Sequence, residues 1–242
     1  MKKLLLMLSL LVLQTGVWAQ DEGDTLLLPA VQVRLGDGSV RNFGPSDGQM
    51  RELQDGAMAW QLDAFSFGDG SVRIDPISIV YKTDPFINWA VSVTALTSEP
   101  VSFVFLFTVP YAGGPYNQLL SNVTATLSSE GNGAAMGLTG IAHDSLIDSN
   151  FIVALATTLP DCAGTSSPLA CGSVNGQATV ATAGSGNFSS RLQFTLTEPR
   201  SSAELLGTTI LQTAVVPEPQ TYLLWLSGLL LVGAAARSRR VG

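Results

Sequence analysis

Apolar and polar residues alternate over long stretches of this chain, and that period of two restricts the fold to β structure. The alternation is clearest over residues 87–95, 101–109, 122–127 and 188–196. Successive side chains of a β-strand point to opposite faces of its sheet, so each apolar set belongs to one face that must be buried. The central part has no long stretch with the 3.6-residue period of an amphipathic helix. These segments therefore predict strands packed against a second sheet.

Shorter segments of similar composition extend this set of strands. We predict them at residues 30–35, 39–43, 58–66, 71–81, 150–157, 176–182 and 203–212. Two stretches rich in Gly, Ser, Ala and Asn, residues 129–140 and 164–186, are predicted to be largely surface loops. Many short strands separated by turns are typical of an all-β domain, and we expect an antiparallel β-sandwich of jelly-roll-like topology.

One six-residue sequence, Gly-Asp-Gly-Ser-Val-Arg, occurs twice, at residues 36–41 and 68–73. Asp-Gly between alternating residues is a strong hairpin signal, because a type I′ turn requires positive φ at both central positions. A calcium loop is the alternative, but it needs several oxygen ligands at fixed offsets, and each copy supplies one carboxylate. We predict two hairpin turns and no calcium site.

Acidic residues outnumber basic residues in the central domain. Residues 20–216 contain 7 Arg or Lys and 18 Asp or Glu, and the remaining five basic residues lie in the two end segments. We expect no nucleic-acid partner, because phosphate binding requires a basic patch. A length of about 195 residues is sufficient for one β domain with a sizeable core.

The chain has two cysteines, Cys162 and Cys171. The eight residues between them are mostly polar or small and are predicted to form a flexible turn, so the two Cα atoms can approach the roughly 5.5 Å that a disulfide needs. We predict a structural disulfide that closes a loop of about ten residues and does not join two sheets. Two free buried thiols are the alternative.

The sequence offers few residues for catalysis. His143, the one histidine, is followed by Asp144 and Ser145, but a catalytic triad is assembled in space and its members are usually far apart in the chain. Gly44-Pro-Ser46-Asp-Gly48 matches the nucleophile-elbow pattern but lacks the strand-turn-helix context that this elbow requires. We interpret Ser46 as a turn residue and His143 as a loop residue that caps a turn, and we expect no catalytic residue.

Carboxylates and tryptophans also have ordinary structural interpretations. Asp63, Asp69, Asp75 and Asp84 could supply the pair that glycoside hydrolysis requires, but sequence cannot place any two at the required separation, and each is interpreted as a solvated turn residue. Trp60 and Trp89 could stack on sugars, but both lie in β patterns and are assigned to the core. The two cysteines lack the spacing of zinc knuckles, so we expect no metal and no cofactor.

The first 19 residues have the three parts of a secretory signal peptide. Lys2 and Lys3 precede an apolar run over residues 4–13, and Val17-Trp-Ala19 is an acceptable cleavage site. We predict cleavage between Ala19 and Gln20. The predicted organisation is a signal peptide at 1–19, a β-sandwich ectodomain at 20–214 and a C-terminal segment at 215–242.

The C-terminal segment combines Pro217-Glu218-Pro219, an apolar run over residues 221–236 and three arginines, Arg237, Arg239 and Arg240. As a helix the run spans about 24 Å, which is shorter than the hydrocarbon core of about 30 Å, so we predict a short, marginal membrane span. The arginine cluster predicts that the tail end is cytoplasmic and that the preceding chain lies outside the inner membrane.

This three-part arrangement resembles the PEP-CTERM sorting signal of Gram-negative bacteria. The resemblance implies recognition by an exosortase, a membrane protease-transpeptidase, followed by release or transfer to the cell surface or extracellular matrix. It also implies a link to exopolysaccharide and biofilm systems. The alternative is an ordinary C-terminal anchor that is never cut.

Three functions remain open for the ectodomain. The first is a non-catalytic surface or matrix protein, which the two targeting ends favour. The second is a carbohydrate-binding module that acts on exopolysaccharide, for which aromatic rings and amides should lie on an exposed sheet face. The third is an extracellular hydrolase, which requires converging carboxylates or Ser46 within reach of His143.

Overall fold

The computed structural model describes residues 30–67, 70–82, 85–129, 134–147, 152–181 and 185–213, so the predicted signal peptide and the C-terminal segment lie outside the described residues. The described residues form 16 strands. The strands are β1 (Ala30–Leu35), β2 (Val40–Phe43), β3 (Gln49–Glu52), β4 (Met58–Leu62), β5 (Phe65–Phe67), β6 (Val72–Ile74), β7 (Ile77–Lys82), β8 (Phe86–Ala95), β9 (Val101–Tyr111), β10 (Gln118–Ser129), β11 (Met136–Ile147), β12 (Ile152–Thr158), β13 (Cys162–Gly164), β14 (Leu169–Thr179), β15 (Gly186–Leu196) and β16 (Ser201–Gln212).

The strands form two antiparallel sheets. The seven-stranded sheet has the order β12-β11-β15-β9-β1-β2, with β13 paired to β11. The nine-stranded sheet has the order β14-β10-β16-β8-β7-β4-β3, and the β5–β6 hairpin joins it through β8. From β8 to β11 each strand lies in the sheet opposite to its predecessor.

Eight strands of this arrangement form a jelly roll. The first and last of the eight strands in chain order, β8 and β16, are neighbours in the nine-stranded sheet, where the order is β8-β16-β10-β14. The second and second-last strands, β9 and β15, are neighbours in the other sheet, where the order is β9-β15-β11-β12. Two Greek keys folded over each other produce these orders. The expected antiparallel, jelly-roll-like β-sandwich is confirmed, and β1–β7 extend both sheets on one side.

Aromatic side chains fill the space between the sheets. Phe103, Phe105 and Phe107 point inward at successive alternate positions of β9 and are fully buried. The Phe103 ring stacks on Phe194 with centroids 5.0 Å apart, and the Phe107 ring stacks on Trp89 of the opposite sheet at 5.2 Å. Burial of such large rings is the main favourable contribution to folding.

Strand β11 corrects the prediction that residues 129–140 form a loop. Met136 and Leu138 point inward, but after Gly140, which has φ +61°, the inward positions become Ile141 and His143. The register with β15 shifts between Thr139 and Ala142, as expected for a β-bulge. The extra residue changes the phase of the alternation, which concealed the strand in the sequence.

Strand β14 corrects the predicted loop at 164–186. It covers Leu169–Thr179, where only residues 176–182 were predicted as strand. It is an edge strand with one neighbour, β10, and its outward residues are exposed. Small and polar residues are compatible with this position, because no residue of β14 is fully buried.

Both copies of the Asp-Gly sequence connect paired antiparallel strands, but the turn type of the first copy differs from the prediction. In the first copy the Gly38 N–H donates to the Leu35 carbonyl (3.1 Å), the Leu35 N–H donates to the Ser39 carbonyl (2.9 Å), and Gly38 has φ +90°. Asp37 does not have positive φ, so this is a type I turn followed by a left-handed glycine, not a type I′ turn.

The same turn recurs once more, at Gly56, and a left-handed glycine also occurs in the second copy of the repeat. Gly70, with φ +91°, donates to Phe67 between β5 and β6. Gly56, with φ +76°, donates to Leu53 between β3 and β4, where the sequence has Asp-Gly outside the repeated hexapeptide. The repeat therefore reflects the use of Asp-Gly at hairpin turns in this fold, not a repeating structural unit.

The disulfide has a different place in the fold from the one predicted. Cys162 and Cys171 are bonded, with Cα atoms 5.5 Å apart. Cys162 lies in β13, which pairs with β11 of the seven-stranded sheet, whereas Cys171 lies in β14 of the nine-stranded sheet. The bond is confirmed, but the expectation that it does not join two sheets is wrong.

Candidate functional site

A cluster of polar side chains, here called the polar cluster, lies in the core between the sheets. Its members are Trp89, Ser121, His143, Ser145, Thr157, Ser190 and Thr209. His143 stands at its centre: Nδ1 lies 2.9 Å from the Ser121 hydroxyl and Nε2 lies 2.5 Å from the Ser190 hydroxyl. Ser190 also accepts a hydrogen bond from Trp89 Nε1 (2.7 Å).

Burial makes the His143 imidazole a weak base. Its exposed fraction is 0%, and loss of solvation lowers its pKa to about 4, opposed in part by the adjacent Asp144 carboxylate. His143 is thus neutral at pH 7. The interpretation of His143 as a loop residue is wrong: it lies in the middle of β11 and points inward.

The short distance between His143 and Ser190 resembles that of a catalytic serine–histidine pair, but neither side chain is accessible to a substrate. His143 and Ser190 are both fully buried. The nearest carboxylate in sequence, Asp144, points to the opposite face of β11 and pairs with Arg191, whose Nε lies 2.9 Å away. No substrate can reach the imidazole without separating the sheets, so the cluster serves to hold the two sheets in register.

Ser46 lies in a turn, as interpreted from the sequence. Residues Pro45–Asp47 form one 3-10 turn between β2 and β3, and the Asp47 carboxylate accepts a hydrogen bond from the Gly44 N–H (2.7 Å). A strand follows where a nucleophile elbow requires a helix. The hydrogen-bond partners of His143 are the hydroxyls named above, not Ser46.

The carboxylates considered for hydrolysis or metal binding are dispersed or structurally engaged. Asp75 pairs with Arg73 (3.2 Å) and accepts a hydrogen bond from Ser92 (2.8 Å), Asp63 is exposed, and Asp69 and Asp84 lie outside the described residues. The Asp37 carboxylate accepts bonds from the Ser39 N–H and hydroxyl, which lower its pKa. Among the described residues, no three His, Cys, Asp or Glu side chains are grouped closely enough to hold a metal.

Trp60 and Trp89 are both core residues, as assigned. Their exposed fractions are 1% and 2%, and Trp60 Nε1 donates to the Pro45 carbonyl (3.3 Å). Neither ring is available for stacking on a sugar.

An open groove crosses the outer face of the nine-stranded sheet. Two adjoining hollows of about 450 and 240 Å³ form it, and both are lined by Asn122 and Thr208. Asn122 of β10 and Thr208 of β16 alternate with the buried Ser121 and Thr209, so they point away from the core. We call this surface the outer groove.

A row of hydrogen-bonding side chains runs along the outer groove. Strand register places Asn175, Asn122, Thr208 and Asn88 side by side on β14, β10, β16 and β8. Asn122 Nδ2 donates to Asn175 Oδ1 (2.7 Å) and to the Val174 carbonyl (3.3 Å), so the first two amides orient each other. Asn88 and Asn175 are exposed.

Apolar side chains flank this row. Leu120, Ile210 and the half-buried Phe86 form the neighbouring row on one side, and Leu206, 45% exposed, lies on the other. Of the described residues that line the two hollows, none carries a charge. Lys82, next to Phe86 in the register, is paired with Asp55 (3.5 Å).

The outer groove was not found from the sequence. Its residues are single asparagines and threonines at the outward positions of strands that are far apart in the chain. Alternation identifies these positions as outward on β8 and β10, but only strand order places them in one row.

The described residues contain no helix long and apolar enough to cross a membrane. The predicted tail helix and the cleavage site between Ala19 and Gln20 lie outside them.

Comparison with known protein families identifies the C-terminal segment. Residues 215–240 match the PEP-CTERM protein-sorting motif, and the matched segment contains Pro217-Glu218-Pro219, the apolar run and the arginine cluster. The chain carries a PEP-CTERM sorting signal. The resemblance stated from the sequence is confirmed, and the signal implies export and membrane-anchored sorting of the chain that carries it.

Solved structures with partial similarity to this chain include three of low sequence identity. TmCBM61 in complex with β-1,4-galactotriose shares 10% identity, with 61% of this chain and 90% of that chain covered and a TM-score of 0.28. The adhesin domain of Epf from Streptococcus pyogenes shares 13% identity, with 76% and 59% covered and a TM-score of 0.32. A CBM4 structure shares 8% identity, with 63% and 87% covered and a TM-score of 0.28.

These TM-scores correspond to low overall similarity. The assignment of the β-sandwich rests on the pairing of this chain's own strands. No curated protein matches the chain. No catalytic family is indicated by these comparisons.

Proposed function

We propose that this PEP-CTERM protein is an exported, non-catalytic protein of the cell surface or extracellular matrix. Residues 1–19 direct export, the domain over 20–214 lies outside the inner membrane, and residues 215–242 hold it there with Arg237, Arg239 and Arg240 on the cytoplasmic side. An exosortase then cuts the chain at or near Pro217-Glu218-Pro219. The match of residues 215–240 to the sorting motif is the observation that carries this proposal.

Mass spectrometry of the protein from its native host tests the processing. We expect a mature form that begins at Gln20 and lacks the apolar run over 221–236. Replacement of Pro217, Glu218 and Pro219 by alanine should leave an unprocessed form in the membrane. Ser227→Ala, within the apolar run, is the matched control and should be processed normally. A wild-type mature protein that retains Arg240 would contradict the proposal.

The second candidate function is binding of polysaccharide by the ectodomain. The outer groove favours it, because an open, uncharged surface with amides and hydroxyls in a row can exchange hydrogen bonds with sugar hydroxyls. The amides expected of such a module are present on the exposed sheet face. The two tryptophans considered from the sequence as sugar-stacking residues, Trp60 and Trp89, are buried in the core. A glycan array probed with the mature protein tests this candidate, and an array on which no glycan is bound would exclude it.

The third function considered, hydrolysis, has the least support. The polar cluster is sealed in the core, Ser46 belongs to a surface turn, and the outer groove has no carboxylate among its described lining residues.

A further inference from the structure

The side chains that line the outer groove favour one class of polysaccharide over another. This inference rests on the second candidate function, the binding of polysaccharide by the ectodomain. Its described lining residues carry no formal charge, although the ectodomain as a whole is strongly acidic. An anionic chain, such as one rich in uronic acids, would find no cation in the groove to pair with, because the nearby Lys82 is engaged by Asp55. Desolvation of its carboxylates would therefore be uncompensated.

The row of polar side chains also has a direction. Asn175, Asn122, Thr208 and Asn88 lie on four adjacent strands, so the row runs perpendicular to the strands. With strands about 4.8 Å apart, the first and last of these residues are about 14 Å apart. A ligand that uses the whole row must be extended over several sugar units and must lie across the strands.

The hydrogen-bonding capacity of the row suits neutral hydroxyls. Both hydrogen bonds of Asn122 to described residues use its amide nitrogen, so its Oδ1 remains an acceptor at the groove surface. Thr208 supplies a hydroxyl that can donate or accept, and Asn88 supplies an amide that can do both. Sugar hydroxyls also donate and accept, so they can satisfy such a mixed row without any change of protonation.

Apolar contacts complete the groove on both sides of the row. Leu120, Ile210 and Phe86 provide one flank, and the exposed Leu206 provides the other. The C–H faces of sugar rings can pack against such side chains while their equatorial hydroxyls reach the polar row.

We propose that the outer groove binds a neutral, extended polysaccharide that lies across strands β14, β10, β16 and β8, with Asn122 and Asn88 as its main hydrogen-bonding residues. The uncharged lining and the net negative charge of the domain disfavour anionic polysaccharides.

Isothermal titration of the full-length protein tests this proposal. The protein is kept in a detergent without a sugar headgroup and titrated with neutral polysaccharides (a glucan, a galactan and a mannan) and with anionic ones (alginate and polygalacturonate). We expect at least one neutral polysaccharide to bind and neither anionic one to do so. Binding should be insensitive to salt between about 0.1 and 1 M, over which screening lengths fall from about 10 to 3 Å.

Substitutions in the groove locate the site. Asn122→Ala and Asn88→Ala should each weaken binding about fivefold to tenfold, the loss expected for one or two hydrogen bonds. Leu206→Arg changes an exposed side chain that does not touch the core, and it should abolish binding by filling the groove. Gln193→Ala, on the exposed outer face of β15 in the other sheet, is the matched control and should bind like the wild type.

The outcomes separate this proposal from the function on which it rests. Binding of anionic polysaccharides alone would contradict the proposal that the groove binds a neutral ligand, but it would still support a carbohydrate-binding ectodomain. Binding of a neutral polysaccharide that is unchanged by all three groove variants would place the site elsewhere. Absence of binding to all the polysaccharides would overturn both.

Discussion

At the scale of single residues, Gly207 shows how one missing side chain positions the core. It lies in β16 directly opposite Trp89 of β8, and a Cβ at this position would lie 2.0 Å from Trp89 Cζ2. The indole cannot move easily, because it stacks on Phe107 and donates to Ser190. The absence of a side chain at 207 is therefore required for the Trp89 rotamer that completes the polar cluster.

Gly207→Ala is expected to destabilise the domain by about 1–3 kcal/mol, the usual cost of overpacking a well-filled core. Urea unfolding monitored by tryptophan fluorescence measures this change. Gly44→Ala is the control: Gly44 has φ −103°, which alanine adopts readily, and the nearest atom to an added Cβ is 3.8 Å away. An equal loss in both variants would contradict the role assigned to Gly207.

His143 makes stability depend on pH. Its pKa of about 4 in the folded protein is below the ordinary value of 6.5, so between these values the unfolded chain binds more protons than the folded one. Stability is therefore full above pH 6.5 and falls as the pH decreases toward 4. We expect a loss of about 2 kcal/mol from this residue between pH 7 and pH 5.

The single histidine permits a direct measurement of this effect. In NMR spectra of untagged protein, the imidazole resonances should remain those of the neutral ring down to pH 5. Urea unfolding at pH 7 and pH 5 should show the decrease in free energy. A titration midpoint near 6.5 in the folded protein would show that the ring is hydrated and would contradict the buried cluster.

At the scale of elements, the β13–β14 connection is the part of the fold in which a covalent bond supplements weak packing. β13 has three residues and pairs with β11 along three positions, and β14 is an edge strand. Neither has the buried aromatic contacts of β9 or β15. The disulfide closes the turn between them and so ties the rims of the two sheets together.

Replacement of both Cys162 and Cys171 by serine should lower the free energy of unfolding by about 2–3 kcal/mol, because a loop of about ten residues is no longer closed in the unfolded chain. Addition of a reductant should lower the stability of the wild type by the same amount and leave the double variant unchanged. Two reactive thiols per chain in unfolded, unreduced protein from the periplasm would refute the bond.

At the scale of the whole molecule, the position of β16 determines which part of the chain must remain for the domain to fold. β16 is the last described strand, yet it lies inside the nine-stranded sheet, where it pairs along its length with β10 and β8. Predicted cleavage at residues 217–219 falls a few residues beyond it. Processing would therefore release a sandwich with all of its described strands.

A chain that ends at Thr213 is expected to unfold cooperatively with the stability of the full-length protein, whereas a chain that ends at Arg200 should not fold. Removal of β16 separates β10 from β8 and exposes both halves of the core. Circular dichroism with urea unfolding distinguishes the two. Cooperative unfolding of the chain that lacks β16 would show that the jelly roll is not one unit.

Much of this architecture follows from local sequence. Alternation in β8, β9 and β15 identified the strands and their buried faces, because a side chain at every second position must leave water for the core to form. The predicted strand at 30–35 coincides with β1. The assignment of Trp60 and Trp89 to the core, and the pairing of the two cysteines, also followed from residues close in sequence.

Tertiary structure decided what depends on pairing between distant segments. The sequence by itself determined the sandwich, the sorting signal and the residues of the disulfide, because alternation, a terminal motif and a single cysteine pair are local properties. Strand order and register decided the rest. The bulge at Gly140 places His143 in the core, and the pairing of β13 with β11 and of β14 with β10 places the two cysteines in opposite sheets. The order of β10, β16 and β8 places Asn122 and Asn88 in one row. Such contacts join residues tens of positions apart, and no local pattern encodes which strands become neighbours.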